Sequence, residues 1–131
     1  ECCPIINPAS SEKGPGIQAD AIAFGLGEQV VADMGYDAQR LATYAQLLWN
    51  DIDCELNNLG QAVLLADRDK LHSASHTLKG LCGYLHDPLA GVAASKIHQG
   101  AMDLPFATLS ELVKQVHLRC VRPAAVADQQ E

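Results

Sequence analysis

The sequence predicts an all-α protein, an antiparallel up-down four-helix bundle with an additional short N-terminal helix. The chain has 131 residues, which is the length of one domain with a sizeable core. Its composition is 48% hydrophobic but only 5% aromatic, which suits a helical bundle better than a β-sandwich. Apolar residues recur every three or four positions in five segments, and the short connections between them favour antiparallel neighbours.

The first two segments are a linker and a short helix. Residues 1–18 contain prolines, serines and glycines without periodicity, and we interpret them as a linker. From Asp20 to Met34 the apolar residues are four apart, which predicts a helix that Gly25 and Gly27 split or delay. Gly35 is well suited to end it.

The longest predicted helix follows Asp37, a favourable N-cap residue. Its core stripe comprises Leu41, Ala45, Leu48, Ile52, Leu56, Leu59 and Val63. The polar break 67–69 follows, and its aspartates, Asp67 and Asp69, can cap the next helix. That helix is predicted from Asp69 to Asp87, and it ends there because Pro88 disfavours helical geometry in the residue before it.

Asp87 and Pro88 form a good start for the next helix. Its predicted stripe is Leu89, Val92, Ala93, Ile97 and Ala101, and that of the last helix is Leu109, Leu112, Val113, Val116 and Cys120. We therefore place the domain at residues 19–121 and a C-terminal tail at 122–131. Because the chain begins at Glu1, we expect it to be part of a longer protein.

Charge and cysteine content exclude several classes of function. A net charge of −7 argues against binding to nucleic acid or to an anionic membrane surface. The sequence contains neither a signal peptide pattern nor an apolar run of membrane-spanning length. The five cysteines fit neither a disulfide framework nor a zinc site, so we expect a reducing cytoplasmic setting and assign Cys54, Cys82 and Cys120 to the core.

The helix from Asp69 to Asp87 carries the most informative stretch. On a helical wheel its apolar side faces the core, and His76 falls roughly 175° from the centre of that side. Gly80 and Gly83 lie within about 40° of His76 on the same outer face. Each glycine costs about 1 kcal/mol relative to alanine. We therefore expect the two glycines to clear space for a partner protein beside an exposed imidazole.

His76-Thr77-Leu78-Lys79-Gly80, followed by Gly83, resembles the signature of histidine-containing phosphotransfer (HPt) domains. These are four-helix modules of multistep two-component phosphorelays. The resemblance is strong over the motif helix and loose from about Ala19 to Cys120. The sequence departs from the family at His86, where many members carry a further glycine.

The resemblance implies that His76 is a phosphoacceptor, which takes a phosphoryl group from the aspartate of one receiver domain and passes it to that of a response regulator. Mg²⁺ would come from the receiver, and the domain would have no cofactor or ATP site of its own. It would be the C-terminal module of a hybrid sensor histidine kinase, with that kinase's receiver and a downstream response regulator as partners. We expect the isolated domain to be cytoplasmic and monomeric.

The residues themselves are consistent with these roles. A histidine with an ordinary pKa near 6.5 offers a neutral ring nitrogen at cytoplasmic pH. Lys79 lies on the same side of the helix and is expected to neutralise charge on the phosphoryl oxygens. Gln99, on the neighbouring helix, is a weaker candidate to reach the phosphoryl group. His86, His98 and His117 show no partner pattern and are interpreted as structural or surface residues.

Three alternatives remain open from the sequence. A freestanding relay protein would use the same chemistry. A helical docking module would bind a receiver or other partner without being phosphorylated. A metal-binding bundle would use His72, one turn before His76, but the sequence offers no convincing third ligand, and we predict no metal site.

Overall fold

The computed structural model describes residues 23–126, and over this range the protein is all-α. The five described helices are α1 (Glu28–Asp33), α2 (Ala38–Leu65), α3 (Arg68–Cys82), α4 (Pro88–Gly100) and α5 (Phe106–Arg119). The predicted all-α class is confirmed. The predicted linker and the predicted start of the first helix at Asp20 lie outside the described residues. None of the described helices is long and apolar enough to cross a membrane.

Three of the helices begin at an aspartate, as the sequence predicts. The side chains of Asp37, Asp67 and Asp87 each accept hydrogen bonds from backbone N–H groups in the first turn of α2, α3 and α4. Such caps satisfy donors that have no partner inside the helix and typically contribute about 1 kcal/mol each. Pro88 occupies the first position of α4, where its missing N–H carries no penalty.

The core lies between four helices. The α3 helix packs against α2 and α4, and α5 packs against α4 and α2. Each fully buried leucine or isoleucine contributes roughly 1.5–3 kcal/mol, so this core is the main stabilising feature. Its largest fully buried apolar side chains within helices are Leu41, Ile52, Leu59, Leu71, Leu78, Ile97, Leu109 and Val116.

A short antiparallel backbone pairing joins the segment before α1 to the loop after α3. The N–H of Gly27 donates to the carbonyl of Tyr84 at 3.0 Å, and the N–H of His86 donates to that of Gly25 at 2.8 Å. Gly25 has a φ of +75°, a conformation that glycine adopts readily. The pairing positions the loop that follows α3.

This pairing explains two differences from the predicted helices. The motif helix was predicted to reach Asp87 but ends at Cys82, because residues 84–86 hydrogen-bond across the chain instead of continuing the helix. The first helix does not include Leu26, which is part of the pairing, and starts at Glu28. The prediction that glycines would split or delay it is therefore confirmed for the described residues.

Two predictions about the core were wrong. Leu89 and Val92 were assigned to the core stripe of α4 but are about half exposed, since α4 buries Ala90, Ala93, Ala94 and Ile97 instead. Cys54 was assigned to the core but is exposed. It follows Ile52 by two residues, which places it roughly 200° away around the helix.

Part of the predicted C-terminal tail packs against the helices. Arg122 forms an ion pair with Asp53 of α2 at 3.0 Å and also hydrogen-bonds to Asn50. Val126 is buried. Residues 122–126 therefore contribute to the packed structure, and the rest of the predicted tail lies outside the described residues.

Candidate functional site

His76 lies on the solvent side of α3. The same helix buries Leu71, Ala74, Leu78 and Cys82 on its opposite side, which fixes its rotation relative to the core. His76 is exposed as a result. The predicted exposure of this imidazole is confirmed, and its ring is accessible to a second molecule.

Open space adjoins His76 along the helix. At Gly80, one turn further on, an added Cβ would meet no atom within 4 Å beyond its own helix turn. At Gly83 an added Cβ would meet only the carbonyl oxygen of Gly80, at 3.2 Å. Both glycines are exposed, and no other segment of the described chain covers them.

The structure changes the interpretation of one glycine. Gly80 lies in the last turn of α3, as expected, but Gly83 is the residue that caps the helix rather than an interior position. It has a right-handed helical φ of −62°, so the cap does not demand glycine on conformational grounds. Missing side-chain bulk is what the two positions share.

Lys79 supplies positive charge to this end of α3. It is exposed and lies in the last turn of the helix, where a cation interacts favourably with the helix dipole. Lys79 is three residues after His76, so the two side chains are neighbours on the helix surface.

A second histidine approaches His76 from the neighbouring helix. The ring of His98, on α4, lies 5.1 Å from the ring of His76 between centroids. The ring of His98 also stacks on that of His72, with a centroid distance of 4.3 Å and an interplanar angle of 29°. We refer to His72, His76 and His98 as the histidine cluster.

The environment of His98 favours its neutral form. Partial burial and the positive charges available on His72, His76 and Lys79 lower the pKa of His98 below its usual value. All three of these neighbours belong to α3. No carboxylate is among the groups that act on His98.

The polypeptide around His72 is held by a buried serine. Ser75 is fully buried, and its Oγ donates to the carbonyl of His72 at 3.1 Å. Serine side chains in helices often form this bond three residues back. It leaves no unsatisfied polar atom at Ser75.

Gln99 and His98 occupy different surroundings on α4. Gln99 is exposed, and its amide lies 3.4 Å from the hydroxyl of Ser95 on its own helix. His98, which was interpreted as a structural or surface residue, is the α4 residue in ring contact with His76. One sequence signal pointed to His98. Because a short loop joins α3 to α4, residues at equal distances before and after that loop lie opposite each other, and this pairs residue 98 with residues near 72.

The histidine cluster contains His72 and His76, the two residues considered as metal ligands from the sequence, together with His98. However, the near-parallel stacking of His72 and His98 presents ring faces to each other rather than directing nitrogens to a common point. Over residues 23–126, no group of three or more His, Cys, Asp or Glu side chains is arranged to hold a metal ion.

An aromatic pair, the exposed Tyr84 and the half-buried Tyr44, lies just beyond the glycines. Tyr84, which follows Gly83, is 47% exposed and meets the ring of Tyr44 edge to face at 6.2 Å. Partial burial, Tyr84 and Asp33 raise the pKa of Tyr44, so its hydroxyl stays protonated at neutral pH. Tyrosines that combine an apolar face with a polar end are frequent in protein interfaces.

Comparison with known proteins adds no assignment, since no protein-family model, curated protein or solved structure matches this chain.

Proposed function

We propose that this chain is a histidine phosphotransfer module of a two-component phosphorelay, built as an antiparallel four-helix bundle with a short leading helix. The observation that carries the proposal is the exposed imidazole of His76 with empty space above Gly80, one turn away. A phosphoacceptor must enter the active site of another protein. An exposed ring beside bare helix backbone meets that requirement.

The proposed reaction is an in-line displacement at phosphorus. An unprotonated ring nitrogen of His76 attacks the phosphorus of an aspartyl phosphate, the bond from phosphorus to the aspartate oxygen breaks, and the carboxylate leaves. The second ring nitrogen carries the imidazole proton. In the onward step the carboxylate of a second receiver attacks phosphorus, and the His76 ring leaves as neutral imidazole.

The positive charge of Lys79 supports this chemistry. Phosphoryl transfer depends mainly on positioning and on neutralising the oxygens of the transferred group. Lys79 is exposed on the His76 side of α3 and would contact those oxygens. In the proposed reaction the receiver would supply Mg²⁺.

The partner surface would extend from His76 over Gly80 and Gly83 to Tyr84. A receiver bound there would place its phosphoaspartate over His76 and its rim against Tyr84, the exposed member of the aromatic pair. The proposed partners are the receiver domain of a parent hybrid kinase and a downstream response regulator. Such a module would act in the cytoplasm, as a part of its parent protein.

Phosphotransfer from a panel of isotopically phosphorylated receiver domains tests the proposal. We expect acid-labile label on the wild-type chain and none on His76→Gln. His86→Gln is the matched control, because His86 is also exposed but donates only its backbone N–H to Gly25. It should be labelled as wild type is. Receivers that bind the wild-type chain without labelling it would instead indicate a docking module.

A further inference from the structure

His98 has no functional role among the sequence-based predictions. Its ring approaches the ring of His76 from a different helix, at 5.1 Å between centroids. His98 is the central member of the histidine cluster, since its ring contacts the rings of both His72 and His76. At this separation, a phosphoryl group on a ring nitrogen of His76 that faces α4 would lie within reach of the His98 ring.

We propose that the His98 imidazole binds the phosphoryl oxygens when His76 is phosphorylated, donating a hydrogen bond from a protonated ring nitrogen. This inference rests on the proposed phosphotransfer function and names a phosphoryl-binding residue for it. His72, whose ring stacks on that of His98, is a positioning residue that limits the rotation of the His98 ring.

The charges around His98 predict a change of protonation on phosphorylation. In the free protein, the groups that act on His98 are His72, His76 and Lys79, all of which disfavour an imidazolium. A phosphoryl group on His76 adds up to two negative charges at the same place, which reverses the balance and favours His98 as a cation. Phosphorylation would therefore be accompanied by uptake of a proton from solvent at His98.

This protonation has a consequence for the stability of the phosphorylated state. A charge-assisted hydrogen bond from imidazolium to phosphoryl oxygen is stronger than a neutral one. It forms only where His98 can take up the proton, so its contribution decreases as the pH rises through the pKa of His98 in the phosphorylated protein. Phosphohistidine lifetime and the transfer equilibrium should thus depend on pH through His98.

Substitutions at His98 separate binding from titration. Glutamine keeps a hydrogen-bond donor but cannot change its charge near neutral pH. Alanine removes both properties. His98 is only partly buried, and we expect both variants to fold, which thermal unfolding followed by circular dichroism would verify.

The first experiment loads His76 directly with phosphoramidate, a small phosphoryl donor that releases ammonia, so that no receiver is needed. Nuclear magnetic resonance then follows the pKa of His98 in free and phosphorylated protein. We expect a rise of about one unit or more on phosphorylation. The same titration of His117, which is on α5 and contacts the carbonyl of Val113, serves as the control and should not change.

The second experiment measures phosphotransfer from a receiver and phosphohistidine lifetime between pH 6 and 8. We expect His98→Ala to lose at least about tenfold in the transfer equilibrium at pH 6.5. His98→Gln should show a smaller loss in the transfer equilibrium, together with a flattened pH profile. His72→Phe, which keeps a stacked ring but removes a titratable neighbour, should retain the pH dependence with a shifted midpoint, whereas His72→Ala should weaken the pH dependence.

The outcomes distinguish this inference from the proposed function. Transfer that proceeds normally while the pKa of His98 stays unchanged on phosphorylation, or a wild-type pH profile in His98→Ala, overturns the role of His98 alone. A raised pKa of His98 in protein loaded with phosphoramidate, together with no transfer from any receiver, supports the phosphoryl-binding role and rejects the relay function. Failure to label His76 from either source rejects both.

Discussion

Gly60 and Gly80 share one local environment, but only Gly80 lies one turn from an exposed histidine. Both are exposed glycines inside helices, and at each of them an added Cβ would meet no atom within 4 Å. Alanine at either position should therefore stabilise the fold by about 1 kcal/mol, because it removes the conformational freedom of glycine without a clash. A comparison of the two positions therefore separates the effect of a helix glycine on stability from its effect on phosphotransfer.

The first prediction uses that pair. Gly80→Ala and Gly60→Ala should both raise the midpoint of urea unfolding, while Gly80→Gln should reduce phosphotransfer to His76 on the order of a hundredfold, because it displaces the incoming aspartyl phosphate. Gly60→Gln should transfer at the wild-type rate. Equal transfer by the two glutamine variants would show that open space at Gly80 has no role.

A second prediction concerns the charge at Lys79. Lys79→Gln should lower the transfer rate roughly tenfold, because a charged group that contacts phosphoryl oxygens is lost. Lys114→Gln makes the same change of net charge on α5, where the lysine is also exposed, and should have little effect. Rapid-quench measurement with one phosphorylated receiver compares them. Equal losses in both variants would indicate only a general electrostatic effect.

The aromatic pair of Tyr84 and Tyr44 provides a third prediction. Tyr84→Ala should weaken binding of a receiver by about 1–2 kcal/mol, measured by calorimetry, if the partner covers this end of α3. Leu64→Ala is the control, because Leu64 is 84% exposed and lies on α2 twenty residues after Tyr44, about 30 Å away along the helix. Loss of affinity only in the Leu64 variant would place the partner elsewhere.

The lowered pKa of His98 gives a fourth prediction, on stability in the absence of phosphate. The unfolded chain has the higher pKa at this residue, so it binds protons first as the pH falls. The stability due to neutral His98 is complete above about pH 6.5 and is lost as the pH falls through the pKa in the folded state. His98→Gln should lose less stability than wild type between pH 7.5 and 5.5 in urea unfolding. A larger or equal loss in the variant would contradict this.

A fifth prediction concerns the buried thiols. Cys82 and Cys120 are buried, and their Sγ atoms are 3.8 Å apart. The hydrogen bond between the two thiols, together with burial, raises the pKa of the Cys82 thiol. Cys54 is exposed. With Cys2 and Cys3 replaced by serine, a thiol-specific disulfide reagent should titrate one thiol in the native protein and three in urea. Rapid reaction of three thiols without urea would mean that this end of the core opens freely.

The helix starts and the exposure of His76 could be predicted because both depend on local chemistry. Asp37, Asp67 and Asp87 are recognisable caps, since each places a carboxylate beside unpaired N–H groups of the next turn. The rotation of α3 follows from the spacing of its apolar residues, which must face the core. His76 is exposed for the same reason.

Helix ends and the limits of the core depended on distant partners. The end of α3 at Cys82 results from hydrogen bonds between residues 84–86 and residues 25–27, nearly sixty positions apart in the chain. Leu89 and Val92 are apolar residues on a helix that buries mainly alanines, so their exposure reflects how closely α4 approaches its neighbours. The spacing of apolar residues in the sequence carries no information about the distance between neighbouring helices.

By itself, then, the sequence determined which segments are helical, where three of them begin and which side of α3 carries the accessible imidazole. Tertiary structure decided which residue stands beside that imidazole, because the approach of His98 depends on the register in which α4 packs against α3. Hydrophobic spacing fixes the side of a helix that is buried. It leaves open which residue of a neighbouring helix comes to lie opposite.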